Sequence, residues 1–436
     1  MRISALVPVY EQPKRAAEIA RKLSSEAAAL NAGETEPRAE ILLVVDGASN
    51  ADIDAALAEA RSLPSVHIIE GRPHLGKAEA LNRAVAESDA DELLFLDNDI
   101  CLPSGAPFFH LTAHILEDHD IAELPKIGLG ESSMAKIVSY EHLANILASE
   151  YLAERGGRCP SMNGAAFAIR RDLFDSLGGF RRVVNEDTDL AARAFLEGAR
   201  FGFDPAMTVG NDAPESFGAW LKQRKRWSIN VALWSSTYMA KIMKSASDIA
   251  LPLLLSSLIF PLPLLECAVG ALLGIAANAA FGLGPLWEII LGLIGGLIGF
   301  GAAVRYYAKR AEIYGAAFSL PSFFAFSFGY LPIWGLASLT GSIIVSTGNL
   351  PDLDWKHDEA EDLALINAAK EEASPFSRIK FDFRGKKTKI RRWVPKERYA
   401  ALSPRAGRGR GSAFGKHGLG LSPIGKKRPP RRGSLR

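Results

Sequence analysis

Cysteine is scarce in this chain: Cys101, Cys159 and Cys267 are its 3 thiols among 436 residues. Their spacing offers neither a metal-binding pair nor a disulfide framework, and the odd count suits a reducing compartment. No internal repeat is visible. The opening MRISALVPVYEQ has no signal-type apolar region, because its apolar stretch reads as a strand and runs into Glu11, Lys14 and Arg15. The N-terminal domain is therefore expected to stay in the cytosol, with no hydrophobic span ahead of it.

Charge is missing from two long stretches. Residues 249–304 hold only Glu266 and Glu288, and residues 313–351 hold no charged group. A soluble core helix of such length needs a polar face, which these stretches lack. They suit a membrane hairpin of about 249–275 and 286–304, then a third apolar segment. Arg305, Lys309 and Arg310 follow the hairpin, as cytoplasmic loops prefer. One crossing by 313–351 puts the C-terminal end outside. An interfacial piece plus a span, or two short spans broken near Pro332, are the alternatives.

The net charge of +2 hides a strong asymmetry. From Phe376 onward there are 20 Lys and Arg against two acids, while the preceding part is acidic. Four parts are expected: a catalytic domain with an interfacial helix over 1–235, membrane and interfacial helices over 236–351, a charged helical segment over 352–375, and a basic, low-complexity, disordered tail over 376–436. Beneath a membrane, anionic lipid is the preferred partner for that tail, ahead of nucleic acid. The glycine run GLIGGLIGFG (292–301) suits close helix packing, within the chain or with a membrane partner subunit.

The first hundred residues alternate. ISALVPVY (3–10), EILLVVD (40–46), VHIIE (66–70) and ELLFLD (92–97) read as strands; 13–30 reads as an amphipathic helix, and 51–63 and 76–88 read as helices. Strict alternation implies an α/β, doubly wound, mostly parallel sheet, with ligands beyond the carboxyl ends of its strands. Tyr10, Asp46 and Asp97 stand at such ends.

Several groups there can carry chemistry, and each alone has an ordinary explanation. Asp97-x-Asp99 suits Mg2+ or Mn2+ bridging a diphosphate, or simply caps a loop before Pro103. Asp46-Gly47 can accept from a base or sugar, or merely turn the chain. Lys77, after a glycine at a helix start, can meet phosphate, or be a surface lysine. Asn185, Glu186, Asp187 and Asp189 are what helix capping selects, yet a carboxylate in a cleft can act as general base. Gln223-x-x-Arg226-Trp227 fits an interfacial helix and can also grip a nucleotide or sugar.

In order, the chain shows VPVYEQ, VVDGAS, GKAEALNRA, FLDNDI, NGAAFAIRR, NEDTDLAAR and QRKRW, followed by apolar helices. This succession resembles the membrane-integrated family 2 glycosyltransferases, the inverting group that includes cellulose, chitin and hyaluronan synthases. The resemblance covers about residues 1–235 in detail and implies a GT-A-like fold. It implies that Tyr10 and Asp46 hold the nucleotide base, that Lys77 contacts the diphosphate side, and that Asp97 and Asp99 coordinate the metal. Asp187, beside Glu186, matches the catalytic base. Gln223, Arg226 and Trp227, with Asn163 and Gly164 of NGAAF, match the acceptor side. The reaction implied is metal-dependent transfer from a UDP-sugar to a growing polysaccharide, or one transfer to a lipid acceptor, at the plasma membrane with a cytoplasmic catalytic domain. Glu11, Gly47 and Asn185 depart from the family pattern and leave the donor sugar open.

Overall fold

Apolar runs make the early strands bury both faces, as parallel strands beneath helices must. In the computed structural model, β1 (Ile3–Val9), β2 (Ala39–Asp46), β3 (Val66–Gly71) and β4 (Glu92–Leu96) alternate with α1 (Pro13–Asn31), α2 (Ala51–Ala60) and α3 (Lys77–Glu87). These follow the expected elements closely. After them come β5 (Ile100–Cys101), α4 (Phe108–Asp118), β6 (Ile121–Glu123), β7 (Lys126–Leu129), α5 (Ser133–Gly156), β8 (Ala166–Arg170), α6 (Arg171–Ser176), α7 (Glu186–Leu196), β9 (Phe201–Phe203) and β10 (Val209–Asp212). The described residues are 2–9, 13–34, 38–47, 51–71, 75–103, 105–183 and 185–347. Tyr10, the segment 352–375 and the basic tail lie outside them.

The main sheet has the order β3-β2-β1-β4-β8-β6-β9, and β8 alone runs antiparallel to its neighbours. The expected doubly wound, mostly parallel architecture is present. A small sheet, β5-β10-β7, stands beside it. Because β1 is flanked by β2 and β4, strand order reverses there, and the crevice beyond their carboxyl ends is where such sheets bind ligands. Asp97 directly follows β4.

Alternate residues of each strand serve opposite cores. Val7, Leu43 and Leu94 pack with Ile19 and Leu23 of α1, Leu57 of α2 and Phe109 of α4. Leu6, Val44, Leu93 and Phe95 pack with Leu81 of α3 and Leu190 of α7. Phe95 stacks on Phe167 at 4.9 Å and meets Phe180 edge-on at 5.0 Å, joining β4 to β8 and to the loop before α7. Each such side chain contributes roughly 1.5–3 kcal/mol of burial. That rigid base presents the strand ends to the crevice.

The rest of the described chain is helical: α8 (Phe217–Ser245), α9 (Ala250–Ser257), α10 (Leu262–Phe281), α11 (Pro285–Ile313), α12 (Leu320–Ala325), a π turn at Phe326–Tyr330, and α13 (Leu331–Thr347). Three segments, Leu262–Phe281, Pro285–Ile313 and Leu320–Thr347, are long and apolar enough to cross a membrane. The first begins later than its composition suggests, since a turn separates α9 from α10 and Pro263 sits in the first turn of α10, where a missing N–H costs little. Residues 320–347 form one continuous helical rod rather than two spans broken near Pro332. The π turn includes Phe328, whose carbonyl the Pro332 ring would otherwise meet, so the wider turn accommodates the proline. The expected boundary at 235 falls inside α8.

Glycines bring α10 and α11 together backbone to backbone. A Cβ on Gly270, Gly274, Gly295 or Gly299 would strike the facing helix's main chain. The glycine run is therefore used within the chain. After this hairpin the chain returns to α5, where Arg310 pairs with Glu150 and the Tyr140 hydroxyl accepts from the Ser319 N–H at 2.6 Å. From there α13 follows α8, with Gly341 against the Ser228 carbonyl and Val345 among Ile229, Ala232 and Leu233.

Candidate active site

Asp46 ends β2 with its carboxylate turned onto the loop before α3. Its two oxygens accept from the Leu75 and Gly76 N–H groups, each at 2.7 Å. Gly76 has φ 91°, a left-handed conformation that glycine adopts without strain. The loop so held delivers Lys77 as the first residue of α3. The Lys77 ammonium lies 2.6 Å from Asp97 and 3.0 Å from Glu186. Three motifs far apart in sequence thus meet on one lysine. Asp97 is steadied by its own N–H, which donates to the Ala165 carbonyl at 2.8 Å.

Asp187 follows Glu186 in the first turn of α7. Its Oδ1 accepts from the Thr188 N–H at 2.7 Å, and its other oxygen rests on Gly164, where a Cβ would overlap it outright. Asn163 turns its Oδ1 to the Ala165 N–H at 3.1 Å and leaves a buried Nδ2 without a hydrogen-bond partner. Behind Asp187, α7 is tied to α8: Asp189 is buried between Arg193, at 2.7 Å, and the Tyr238 hydroxyl, and the Trp234 N–H donates to the Thr188 carbonyl at 3.2 Å. The position of Asp187 is therefore set by two helices and one strand end.

Burial pushes the Asp97 carboxyl up to about 6; Lys77 opposes that shift and Asp99 adds to it. Burial likewise raises Asp187 to about 6, with the neighbouring Glu186 charge adding and Lys77 opposing. For Lys77, burial pulls downward, but Asp97, Glu186 and Asp187 more than reverse it and the ammonium is held well above its ordinary range. The cleft is nonetheless open, since 33% of the Lys77 and 28% of the Asp97 side chain remains exposed. These groups titrate as one cluster within reach of water.

Among the described residues no group of three or more His, Cys, Asp or Glu side chains closes on a metal ion. The two carboxylates Asp97 and Asp99 still fit Mg2+ or Mn2+. Such ions commonly take one or two carboxylates and fill their shell with substrate phosphate and water. Asp99 Oδ1 is buried with no hydrogen-bond partner, an acceptor left for something the site binds. Among the described residues, Lys77 is the cationic group paired with Asp97.

N-terminal to the residues that tie it to α7, α8 carries Gln223, Arg226 and Trp227. Gln223 and Trp227 are held by Arg224, which is fully buried. Its guanidinium pairs with Glu141 of α5, donates to the Gln223 side-chain oxygen and to the Tyr330 hydroxyl at 3.0 Å, and stacks 4.0 Å above the Trp227 ring. Trp220 donates to the same hydroxyl at 3.2 Å. Arg226 is half-buried and is engaged by other groups. The ammonium of Lys126, the first residue of β7, stands 5.9 Å from the centre of the Trp227 ring.

A model of glycosyl transferase family 2 matches residues 4–178, and a model of the glycosyl transferase family group 2 matches residues 93–308. The chain belongs to glycosyltransferase family 2. It is 25% identical over 240 residues to the probable glycosyltransferase YdaM of Bacillus subtilis (strain 168), covering 52% of this chain and 54% of that protein. It is 24% identical over 195 residues to the poly-beta-1,6-N-acetyl-D-glucosamine synthase of Staphylococcus aureus (strain COL), covering 43% and 46%. The chain thus spans about half the length of the curated relatives it matches. Among solved structures, it is similar to the mannosyltransferase PcManGT from Pyrobaculum calidifontis in complex with GDP-Man and Mn2+, at 19% identity and TM-score 0.39 over 69% of this chain and 86% of that one. S. aureus TarS 1-349 gives 13% identity and TM-score 0.33 over 57% and 73%.

In this family 2 chain, the structure brings Lys77, Asp97, Glu186, Asp187 and Gly164 into contact, with Asp46 acting through the loop and Asp99 beside them. Sequence reading missed Arg224, Glu141, Tyr330 and Lys126. Arg224 lay inside QRKRW, but nothing local distinguishes a buried arginine from the exposed Lys222 and Lys225 around it. Lys126 had a usable signal, as the lone charge in the short strand KIGL.

Proposed function

We propose that this chain is a membrane-bound, inverting glycosyltransferase that moves a hexose from a UDP-sugar to a growing polysaccharide. The observation carrying this reading is the convergence of Lys77, Asp97 and Glu186 on one charge centre, with Asp187 seated against Gly164 beside it. QxxRW on α8 and the polysaccharide synthase among the relatives favour a polymer product. The α10–α11 hairpin favours a second reading, a single transfer to a lipid acceptor such as a polyprenyl phosphate or glycolipid. Its backbone-to-backbone packing closes the space between those two helices to a sugar chain.

Asp187 is the general base. The acceptor hydroxyl loses its proton to the Asp187 carboxylate as its oxygen bonds the anomeric carbon. The bond from that carbon to the diphosphate breaks on the opposite face, its electron pair leaves with the diphosphate, and configuration inverts. Lys77 stabilises the charge growing on the leaving group, and Glu186 keeps that ammonium in place. Asp46 fixes the Lys77 loop and faces the nucleotide side, where Tyr10 is also assigned. Gln223, Arg226 and Trp227 with Asn163 border the acceptor. Mg2+ or Mn2+ held by Asp97 and Asp99 supplies further neutralisation of the diphosphate when bound.

The three apolar helices support a setting for this chemistry at a bilayer surface. Arg310 pairing with Glu150 returns the α10–α11 hairpin to the catalytic domain, so the hairpin crosses out and back. The arginines and lysine at the end of α11 support a cytoplasmic side there, in the plasma membrane of this reading. Because α13 packs along α8 of the catalytic domain, we read 320–347 as not carrying the chain across, which leaves the basic residues beyond 376 on the catalytic side with anionic lipid as their partner.

The test is metal-dependent UDP release by the full chain in lipid nanodiscs across a panel of UDP-sugars. Release with one sugar, lost on chelation and in Asp187→Asn, is the expected result. Release undiminished in that variant removes Asp187 from the chemistry. Product length on a lipid-linked acceptor separates polymerisation from single transfer.

A further inference from the structure

We infer that Lys126 is the residue that reads the transferred sugar, donating from its ammonium to the sugar's hydroxyl or acyl oxygens and so setting which donor is accepted. This rests on the transferase reading above and deepens it by naming a specificity determinant on the donor side.

The position comes first. β7 begins at Lys126 and pairs with β10, with Lys126 opposite Val209; β10 in turn pairs with β5, which follows Asp99 directly. On its other side, β6 ends at Glu123 and pairs with β8, the strand that follows Asn163 and Gly164. Lys126 therefore emerges between the D-x-D loop and the groups that seat Asp187. The carboxylates bearing on it are Asp99, Asp97, Asp187 and Glu123, and burial still draws its pKa down. In a displacement, the anomeric carbon must lie between the diphosphate, at the D-x-D end, and the hydroxyl served by Asp187. Lys126 borders that passage.

The two lysines of the site differ in commitment. Lys77 is paired with Asp97 and Glu186. Lys126 makes no ion pair among the described residues; its contact there is the Trp227 ring. A half-buried ammonium with its three donors unmet is costly unless a ligand or water takes them.

The chemistry around it decides between sugar and phosphate. Phosphate asks only for donors. The capacity here is wider: Lys126 and Asn163 Nδ2 offer donors where the transferred sugar meets the acceptor, and Trp227 offers an aromatic face. Hydroxyl groups both donate and accept, and a pyranose has an apolar face, so this set matches a sugar. The site's charge points the same way: five carboxylates (Asp97, Asp99, Glu123, Glu186, Asp187) outnumber the two lysines, which favours a neutral sugar over a uronic acid.

The test compares full-length wild type, Lys126→Met and Lys126→Arg in nanodiscs, with Asp187→Asn as the inactive control. kcat/KM is measured for UDP-glucose, UDP-galactose, UDP-N-acetylglucosamine and UDP-glucuronate, alongside inhibition by UDP. Lys126→Met is expected to lower kcat/KM for the preferred donor by about 10- to 100-fold, the loss of a hydrogen bond from a charged donor. It should cost the poorer neutral donors less, so that discrimination collapses, while UDP inhibition stays as in wild type and shows the fold intact. Lys126→Arg, with its charge displaced, should restore activity only in part. Equal losses for every sugar together with weakened UDP inhibition would assign Lys126 to the diphosphate and overturn the inference. So would unchanged discrimination in an active variant. Wild type that turns over none of the donors would instead overturn the transferase reading beneath it.

Discussion

Gly164→Ala adds one methyl group, and its consequence can be worked out atom by atom. The three atoms nearest to the added Cβ all belong to Asp187, and all lie inside any tolerated contact distance. The strain therefore falls on the carboxylate proposed as the base. Asp187 cannot simply rotate away, because its Oδ1 is tied to the Thr188 N–H and α7 is locked to α8 through Asp189 and Tyr238. Either the carboxylate or the 163–165 loop must shift by roughly an ångström to recover van der Waals contact. Overpacking of this kind costs about 1–3 kcal/mol of stability, which a folded chain can absorb. A displacement of about 1 Å at a reacting group costs on the order of 100-fold in rate. Gly164→Ala should thus lower kcat about 100-fold, towards the floor set by Asp187→Asn, where loss of a general base costs roughly 10²–10⁴. UDP affinity should hold, since Lys77 and Asp97 are untouched. The assay is single-turnover transfer in nanodiscs with UDP binding in parallel. Wild-type kcat in Gly164→Ala would refute the seating of the base on this glycine.

Other outcomes follow from the same geometry. With Asp187 raised to about 6, activity should fall as pH drops through that value and level off above it; Lys77→Met, which removes the charge opposing the shift, should move this limb to higher pH in a kcat/KM profile. Because Asp97 and Asp187 hold protons in the fold that they release near 4 when unfolded, their contribution makes stability decrease as pH rises from about 4 to about 6, measurable by thermal unfolding across that window. Arg224→Ala leaves Glu141 as an unpaired buried charge and should cost about 3–5 kcal/mol, with Arg224→Met/Glu141→Gln less damaging than either single change. Finally, cysteines placed at Gly282 and at Lys309 of a chain lacking its own thiols should label from opposite faces of a sealed vesicle; labelling from one face would refute the hairpin.

Much of the fold was legible because it is written in short-range pattern. The strand and helix alternation of the first hundred residues, the D-x-D at a strand end and the charge-free helices depend on neighbours a few residues apart, and each was found close to where it was expected. Even so, α8 ran through the expected boundary at 235, since a helix end is decided by local capping and packing rather than by where a domain's composition changes. The residues of the candidate site were legible as a list, each with an ordinary alternative.

The sequence by itself determined which side chains of this family 2 glycosyltransferase can carry charge and at which strand or helix ends they stand. Tertiary structure decided which of them meet. Only folding sets Lys77 between Asp97 and Glu186, rests Asp187 on Gly164, and buries Arg224 while Lys222 and Lys225 on the same helix stay in water. The physical reason is that pairing, burial and close approach are properties of distances in space, and these partners come from separate elements that only sheet register and helix packing bring together.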